Sequence, residues 1–413
     1  MNLTQMVACL LKTPYGKGFI TNLGASNPIG RVLLLYSAAP FLNKKSVDEY
    51  SHTFYWEVCE MVNVLGGLGF SIDLVDRGAD IHSLNIKDAY DVFLGLGASN
   101  SGHNYPKIAR LLPSAIKVLY VTSQSPEVFN RAILERYQYF HARHPQLKLP
   151  PIGLKENIDM QEVIALTDYI FCVGNDVTAA TYSGFGKKLY NIRLSTHPGL
   201  SFSLKESSLR SPNEFLYFGG NRNILKGLDL LIEAFACLPH LKLHVCTPAN
   251  EPDFNSVYKE TLARAKNIIW EGFVAVGGAR FAQLSSCCSF AILPSSTEGM
   301  STSIMTCMRK GLIPVITKEV GVSVSDFGFL IDDISVQVLV DKLSSISEMD
   351  PGLLATRSIA TYQASFQYTQ AGFTESFTTA ILDIIAHTPN IVGLKENYDK
   401  SSCARSWEAR LPR

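Results

Sequence analysis

Two α/β domains, each built on a parallel sheet, are what this sequence predicts, on three observations. Short apolar runs alternate with segments whose apolar residues recur at helical spacing. The alternation is interrupted once, by a Ser-rich stretch near the middle of the chain, and then restarts. The length, 413 residues, suits two ordinary domains better than one.

The elements follow in order. Arg31–Ser37 (RVLLLYS) is apolar throughout and runs into Pro40, which reads as a buried parallel strand followed by a loop. In 51–65, Phe54, Val58, Met61, Val62 and Leu65 mark one helix face, and Gly66-Gly67 stops the helix. Strands are expected near 70–75, 91–95 and 116–122, the last feeding a helix with Ser125 as cap and Pro126 in its first turn. Tyr169–Val173 and 189–194 complete the first set. Residues 195–213 are Ser-rich with two prolines, the composition of a linker. Beyond them lie strand 215–218, a helix on Leu228, Leu231, Ile232, Phe235 and Leu238, and strands at 241–246, 268–270, 290–293, 312–317 and 329–331. Helices are expected from about 334 to 387. The expected division is an amino-terminal extension to residue 30, a first domain over 31–200, a linker over 201–213, a second domain over 214–365, closing helices over 366–390 and a tail over 391–413.

Composition excludes several classes. Hydrophobic residues are 46% and charged residues 18%, a globular balance that rules out disordered and collagen-like chains. Lys plus Arg and Asp plus Glu are both 37, so no overall field favours nucleic acid, and an anionic ligand must be held by a local site. No run reaches the roughly 18 apolar residues of a membrane span, and Met1–Lys12 lacks a basic start, so a cytoplasmic location is expected. Nine cysteines, an odd number without CxxC spacing, read as reduced core thiols; a Cys287–Cys288 bridge is disfavoured because neighbours usually point apart. His141 and His144, followed by Pro145, suit a helix C-terminus, and with no third ligand nearby no metal site is expected.

Two constellations could carry chemistry. In Leu293–Thr317 (LPSSTEGMSTSIMTCMRKGLIPVIT) a strand ends, a loop of small residues carries Glu298 and Gly299, and a helix opens near Ser301 and Thr302. Amides at such a helix start favour an anion or a hydroxyl oxygen, Gly299 admits a ligand close to the backbone, and a carboxylate beside it can accept from polyol hydroxyls. A plain cap at Ser301 and a first-turn acid at Glu298 fit the same spacing. In Phe215–Gly227 (FLYFGGNRNILKG) a strand runs into Gly219-Gly220, and Lys226 stands before a helix, over the carboxyl edge of the sheet where open α/β folds bind ligands. Lys226 can meet a phosphate as a point charge, and Arg222 could grip a diphosphate bidentately.

These two segments, joined by a strand-helix pattern that ends in NIIWEGFV, resemble the carboxyl-terminal domain of the retaining family-4 glycosyltransferases (glycosyltransferase group 1). The resemblance spans roughly Phe215–Ile331, while the first 200 residues agree mainly in architecture. It implies the GT-B fold, two Rossmann-like domains facing across a cleft, and sugar transfer from a nucleotide-sugar donor with no cofactor required. It also implies retention at the anomeric carbon, in polysaccharide or glycoconjugate biosynthesis, with a glycan, a lipid-linked or a small-molecule acceptor; from the even charge balance no nucleic-acid partner is expected. By position, Glu298 resembles the first Glu of the family's E-x7-E motif. Thr306 stands where the second Glu, the ribose ligand, is usual. Gly299, Met300, Ser301, Thr302 and Ser303 resemble the loop and helix start that hold the sugar and phosphates. Lys226 matches the phosphate-binding lysine, but Gly220 replaces the arginine six residues before it, and Arg222 is the substitute cation. Gly219 belongs to the same glycine turn, and Thr247 and Phe273 fall near the nucleotide base.

The first domain is then expected to hold the acceptor, with His52, Asn100 and His103 as candidates at strand ends and helix starts. Peripheral contact with the cytoplasmic face of a membrane would accompany a lipid-linked acceptor. The departures at Thr306 and Gly220 motivate one rival, a non-catalytic protein that binds sugar nucleotides; a second rival is another GT-B activity such as epimerisation.

Overall fold

The computed structural model describes residues 18–42, 53–86, 90–97, 103–156, 158–203 and 210–387. Two sheets organise them. The first has seven strands: β1 (Phe19–Gly24), β2 (Gly30–Tyr36), β3 (Phe70–Asp76), β4 (Val92–Leu96), β5 (Ile116–Val121), β6 (Tyr169–Cys172) and β7 (Lys188–Asn191). The second has six: β8 (Ser211–Phe218), β9 (Lys242–Cys246), β10 (Ile268–Trp270), β11 (Cys288–Leu293), β12 (Ile313–Ile316) and β13 (Phe329–Leu330). Every pairing is parallel except that of β1 with β3. The central strands are buried on both faces, as parallel strands covered by helices must be; β11 has no exposed residue.

Strand β1 departs from the expectation that residues up to 30 form an extension outside the domain. It pairs antiparallel to β3 at the sheet edge, and its mixed burial explains why no apolar run announces it. The linker region also contributes, since β8 begins at Ser211.

Strand order positions the functional edge. In the first sheet the order is β1-β3-β2-β4-β5-β6-β7, so the chain leaves β2 to one side for β3 and to the other for β4. The second sheet, β10-β9-β8-β11-β12-β13, reverses in the same way between β8 and β11. Loops at such a switch point diverge and leave a crevice at the carboxyl ends of the strands.

Helix Gln370–His387 crosses back onto the first sheet's side. Its Phe373 packs edge-on against Trp56 at 5.7 Å and Phe377 against Phe171 at 5.9 Å. Its Asp383 takes Lys188 at 2.6 Å and Tyr190 at 2.5 Å. A second seam joins the halves directly. Arg143, at the end of helix Pro126–Arg143, reaches Asp229 at 2.5 Å and Glu233 at 3.0 Å on helix Leu228–Ala236. The buried Arg136 donates to the Pro294 carbonyl at 2.6 Å. His141 lies in the last turn of that helix and His144 caps it, with Nε2 of His144 2.9 Å from Glu233. Both histidines thus stand at the helix C-terminus, as expected.

Candidate active site

A cleft of about 1000 Å³ lies where the two sheets face each other, bounded by the carboxyl ends of both switch-point strand pairs. Tyr36 and Leu96, ending β2 and β4, form part of one wall. Gly219, after β8, and Glu298, after β11, form part of the other. All thirteen residues singled out in the second domain line it: Gly219, Gly220, Arg222, Lys226, Thr247, Phe273, Glu298, Gly299, Met300, Ser301, Thr302, Ser303 and Thr306.

At the centre Lys226 Nζ donates to Glu298 Oε1 at 2.7 Å, between residues 72 apart in sequence. Ser295 adds a second donor to the same oxygen at 3.2 Å. Both charged side chains keep some exposure, 12% for Lys226 and 17% for Glu298, so they face the cleft rather than the core. Gly227 makes the turn possible. Its φ is 74°, a left-handed conformation, and a Cβ there would stand 2.6 Å from the Pro294 carbonyl. Gly299 is tighter still, because a Cβ would meet the Thr122 carbonyl of the first domain at 2.0 Å. Loop 295–303 is thereby clamped between domains, with Thr297 Oγ1 donating to Gln124 Oε1 at 2.7 Å and Thr178 Oγ1 to the Gly299 carbonyl at 3.0 Å.

Ser301 does cap the short helix Thr302–Met308, accepting from the Ile304 amide at 3.5 Å. Its hydroxyl therefore has a structural task, with Ser303 Oγ 2.9 Å away. Thr306 is buried on the same helix and lines the cleft. Thr247 donates to the Gly220 carbonyl at 2.9 Å and ties that turn to β9. Phe273 stands 66% exposed at the rim.

Arg222 has a left-handed backbone, φ 72°, unusual for a residue with a Cβ and held by the Glu251 carboxylate, which accepts from its amide and from that of Asn223. The side chain spans the cleft. It runs beside Gly153, where a Cβ would meet its Cδ at 2.3 Å, and the guanidinium lies 5.7 Å from the Phe129 ring centre. Lys155 shares that ring from the first domain at 4.4 Å. Its ammonium donates to Ser123 Oγ and, at 2.9 Å, to the Gln124 carbonyl, and its backbone is fixed by paired bonds with Asn130. Burial, and secondarily the Arg222 charge, push Lys155 down to about 7. Two basic side chains of opposite domains thus converge on one part of the cleft.

The acceptor-side expectations fare differently. His52 and Asn100 lie outside the described residues. His103 does not line the cleft; it precedes helix Asn104–Leu111 and pairs with Glu156 at 3.1 Å on the exposed surface. The first-domain wall of the cleft is built by Tyr36, Phe54, Trp56, Glu57, Arg77 and His197, among others. Glu57 is 1% exposed and accepts from Ser195 N at 3.2 Å and Ser195 Oγ at 3.1 Å. Burial pushes it up to about 7, against the pull of the Ser195 bonds. The sequence does hold a signal for Glu57, since it falls between Phe54 and Met61 on the apolar face of its helix, where a carboxylate needs a reason. Lys155, in a loop of mixed composition, has none.

Comparison with known proteins adds to this geometry. Residues 212–348, which contain all thirteen of those second-domain cleft residues, match the family described as glycosyl transferases group 1. In fold the chain is similar to Anabaena HepE, solved in complex with UDP and glucose, at a TM-score of 0.54 and 14% identity over 87% of this chain and 100% of that one. Sucrose-phosphate synthase from Thermosynechococcus elongatus is similar at 0.54, with 13% identity over 87% of this chain and 100% of that one. The pneumococcal O-GlcNAc transferase GtfA, solved with UDP and GlcNAc, gives 0.51 and 14% identity over 74% of this chain and 59% of that one, so the chain spans less than two thirds of that enzyme. No curated protein sequence matches this one. The two-sheet architecture is that of the GT-B fold.

Proposed function

We propose that this GT-B glycosyltransferase moves a sugar, with retention at the anomeric carbon, from a nucleotide-sugar donor held by the second domain to an acceptor held by the first. The observation that carries the reading is the Lys226–Glu298 pair at the β8–β11 switch point inside an interdomain cleft. Departure of a nucleoside diphosphate develops negative charge. A cation already fixed there stabilises the transition state more than the bound donor. Lys226 is that cation. Lys155 and Arg222, converging from opposite domains, supply further positive charge, and a diphosphate beside Lys155 favours its protonated form. In this reading fixed side chains neutralise the leaving group, and no cofactor is called for.

Glu298 accepts from donor-sugar hydroxyls, and the loop from Gly299 to Ser303 shapes the pocket around them. Thr247 and Phe273 face the nucleoside, whose ribose meets the Thr306 hydroxyl in place of a carboxylate. The acceptor wall, with Tyr36, Phe54 and Trp56 beside Glu57 and Arg77, offers flat apolar faces and polar groups together, which suits a sugar ring. A glycan, lipid-linked or small-molecule acceptor in polysaccharide or glycoconjugate biosynthesis fits it. We place the reaction in the cytoplasm, with peripheral membrane contact if the acceptor is lipid-linked. Among the described residues no helix is long and apolar enough to cross a membrane.

Thermal melting of the purified chain with a panel of nucleoside diphosphates and nucleotide sugars tests the donor site, beginning with UDP and UDP-sugars because two of the similar structures hold UDP. The expected result is a selective rise in melting temperature with one nucleotide family, lost in Lys226→Ala. The anomeric configuration of the product, read by NMR, tests retention; inversion overturns it. A melting shift without transfer or donor hydrolysis favours the non-catalytic binding protein. Interconversion of the sugar nucleotide favours the epimerase, and no change in melting at saturating ligand removes the donor site.

A further inference from the structure

The second sheet carries another cluster, away from the cleft edge. Strands β8 and β9 pair Glu214 with Lys242 and Leu216 with His244, which turns Glu214, Lys242 and His244 to one face. Helix Ala279–Cys287 and the start of β11 bring Cys287 and Cys288 to the same place. One ligand atom from each of Glu214, His244, Cys287 and Cys288 lies within 4.8 Å of all the others. We propose that these four residues form a tetrahedral site for a borderline-soft divalent cation, zinc, which fastens helix Ala279–Cys287 to the sheet.

The spacing suits the ion. Zinc takes thiolate at about 2.3 Å and imidazole or carboxylate at about 2.0–2.1 Å. A tetrahedron's edge is about 1.6 times its centre-to-corner length, so the expected edges are about 3.8 Å between sulfurs and about 3.3 Å between nitrogen and oxygen. The Cys287 and Cys288 sulfurs are 3.9 Å apart, and His244 Nε2 is 3.3 Å from Glu214 Oε2. The sulfur separation is far beyond the roughly 2.05 Å of a disulfide.

The surroundings orient the ligands. His244 Nδ1 lies 2.8 Å from Glu271 Oε1, and Arg280 holds Glu271 with bonds of 2.9 and 2.6 Å. A carboxylate so held takes the Nδ1 proton as its donor and leaves Nε2 to the cluster, the carboxylate–histidine arrangement that supports metal-bound imidazole. Lys242 occupies the other oxygen of Glu214 at 2.8 Å and leaves Oε2 free to turn inward. Two thiolates and one carboxylate are balanced by a dication and the Lys242 ammonium, so the filled site is neutral. Sulfur and imidazole donors select zinc over magnesium or calcium. Four protein ligands close the coordination shell, which makes the role structural and places it apart from the Lys226–Glu298 chemistry. Cys288 is buried and Cys287 half-buried, so the ion enters past Cys287.

The test uses the full chain, reduced and stripped by chelator, then titrated with cobalt(II) and zinc. One cobalt per chain, with tetrahedral visible bands and near-ultraviolet thiolate-to-cobalt charge transfer, is the expected result. Zinc should displace it, raise the melting temperature and shield two thiols from a thiol reagent. Cys287→Ser and His244→Ala should each weaken binding at least tenfold while the nucleotide-induced melting shift of the cleft persists. The half-exposed Cys287→Ser variant keeps the test valid if His244→Ala unfolds. Absence of the charge-transfer bands, an octahedral cobalt spectrum, or wild-type affinity in Cys287→Ser overturns the site.

Discussion

Replacing Glu57 by Gln should change how stability depends on pH. The carboxyl group is 1% exposed, and burial raises its pKa from the ordinary 4.5 to about 7. The native state therefore holds this proton over a range in which the unfolded chain has released it. Stability from that retention is fully present below about pH 4.5 and is lost as pH rises through about 7. A tenfold difference in proton affinity between the folded and unfolded chains is worth about 1.36 kcal/mol, so the wild type should lose about 2.5 kcal/mol between about pH 5 and pH 8 from this group alone. Gln keeps an oxygen to accept from Ser195 N and Oγ but has no proton to lose, so its own effect is a constant offset. Melting or urea unfolding of both proteins at half-unit pH steps gives the difference curve, in which other titrating groups cancel. The variant should gain on the wild type by about 2.5 kcal/mol across that window. Parallel curves, whose separation changes by less than about 0.5 kcal/mol over the same range, would refute the claim that Glu57 is buried as a protonated acid.

Three further outcomes follow from the site and the seam. Lys226→Ala and Glu298→Gln should each lower turnover by about 10²–10³ while melting stays within a few degrees of wild type, because both groups face the cleft; initial rates and melts on the same preparations check this. Unchanged rates in both would remove the site assignment. Gly299→Ala forces a Cβ to within 2.0 Å of the Thr122 carbonyl, so loop or domain must shift; a loss of about 1–3 kcal/mol and of nucleotide binding is expected from melting with and without ligand. Arg143→Ala leaves the fully buried Asp229 without its 2.5 Å partner and should destabilise by about 3–5 kcal/mol in urea titration, a near-neutral result showing that the interdomain pair is not formed.

What can be read in the sequence is what short-range pattern encodes. Apolar runs fit strands buried on both faces, and FLYFGG and LPSSTEGM each place a chemistry-bearing loop after a strand. Strand β1 escapes because an edge strand with mixed burial has no such run. His103 misses the cleft for a related reason. It is a polar residue in a loop, but loop position says nothing about which side of the sheet a side chain reaches, and it faces solvent with Glu156.

The sequence by itself determined the strand-helix alternation, the break near residue 200 and the donor-side residues that resemble the glycosyltransferase group 1 pattern, because each depends on neighbours within a few turns of chain. Only the tertiary structure brought Lys226 to 2.7 Å from Glu298, turned Arg222 across the cleft toward Lys155, buried Glu57 in the opposite wall and gathered Glu214, His244, Cys287 and Cys288 on one sheet face. Those contacts depend on strand order. The reversal between β8 and β11, and the facing of the two sheets across the cleft, make neighbours of residues far apart in sequence. Strand order is set by burial of the whole chain at once, which no local spacing records.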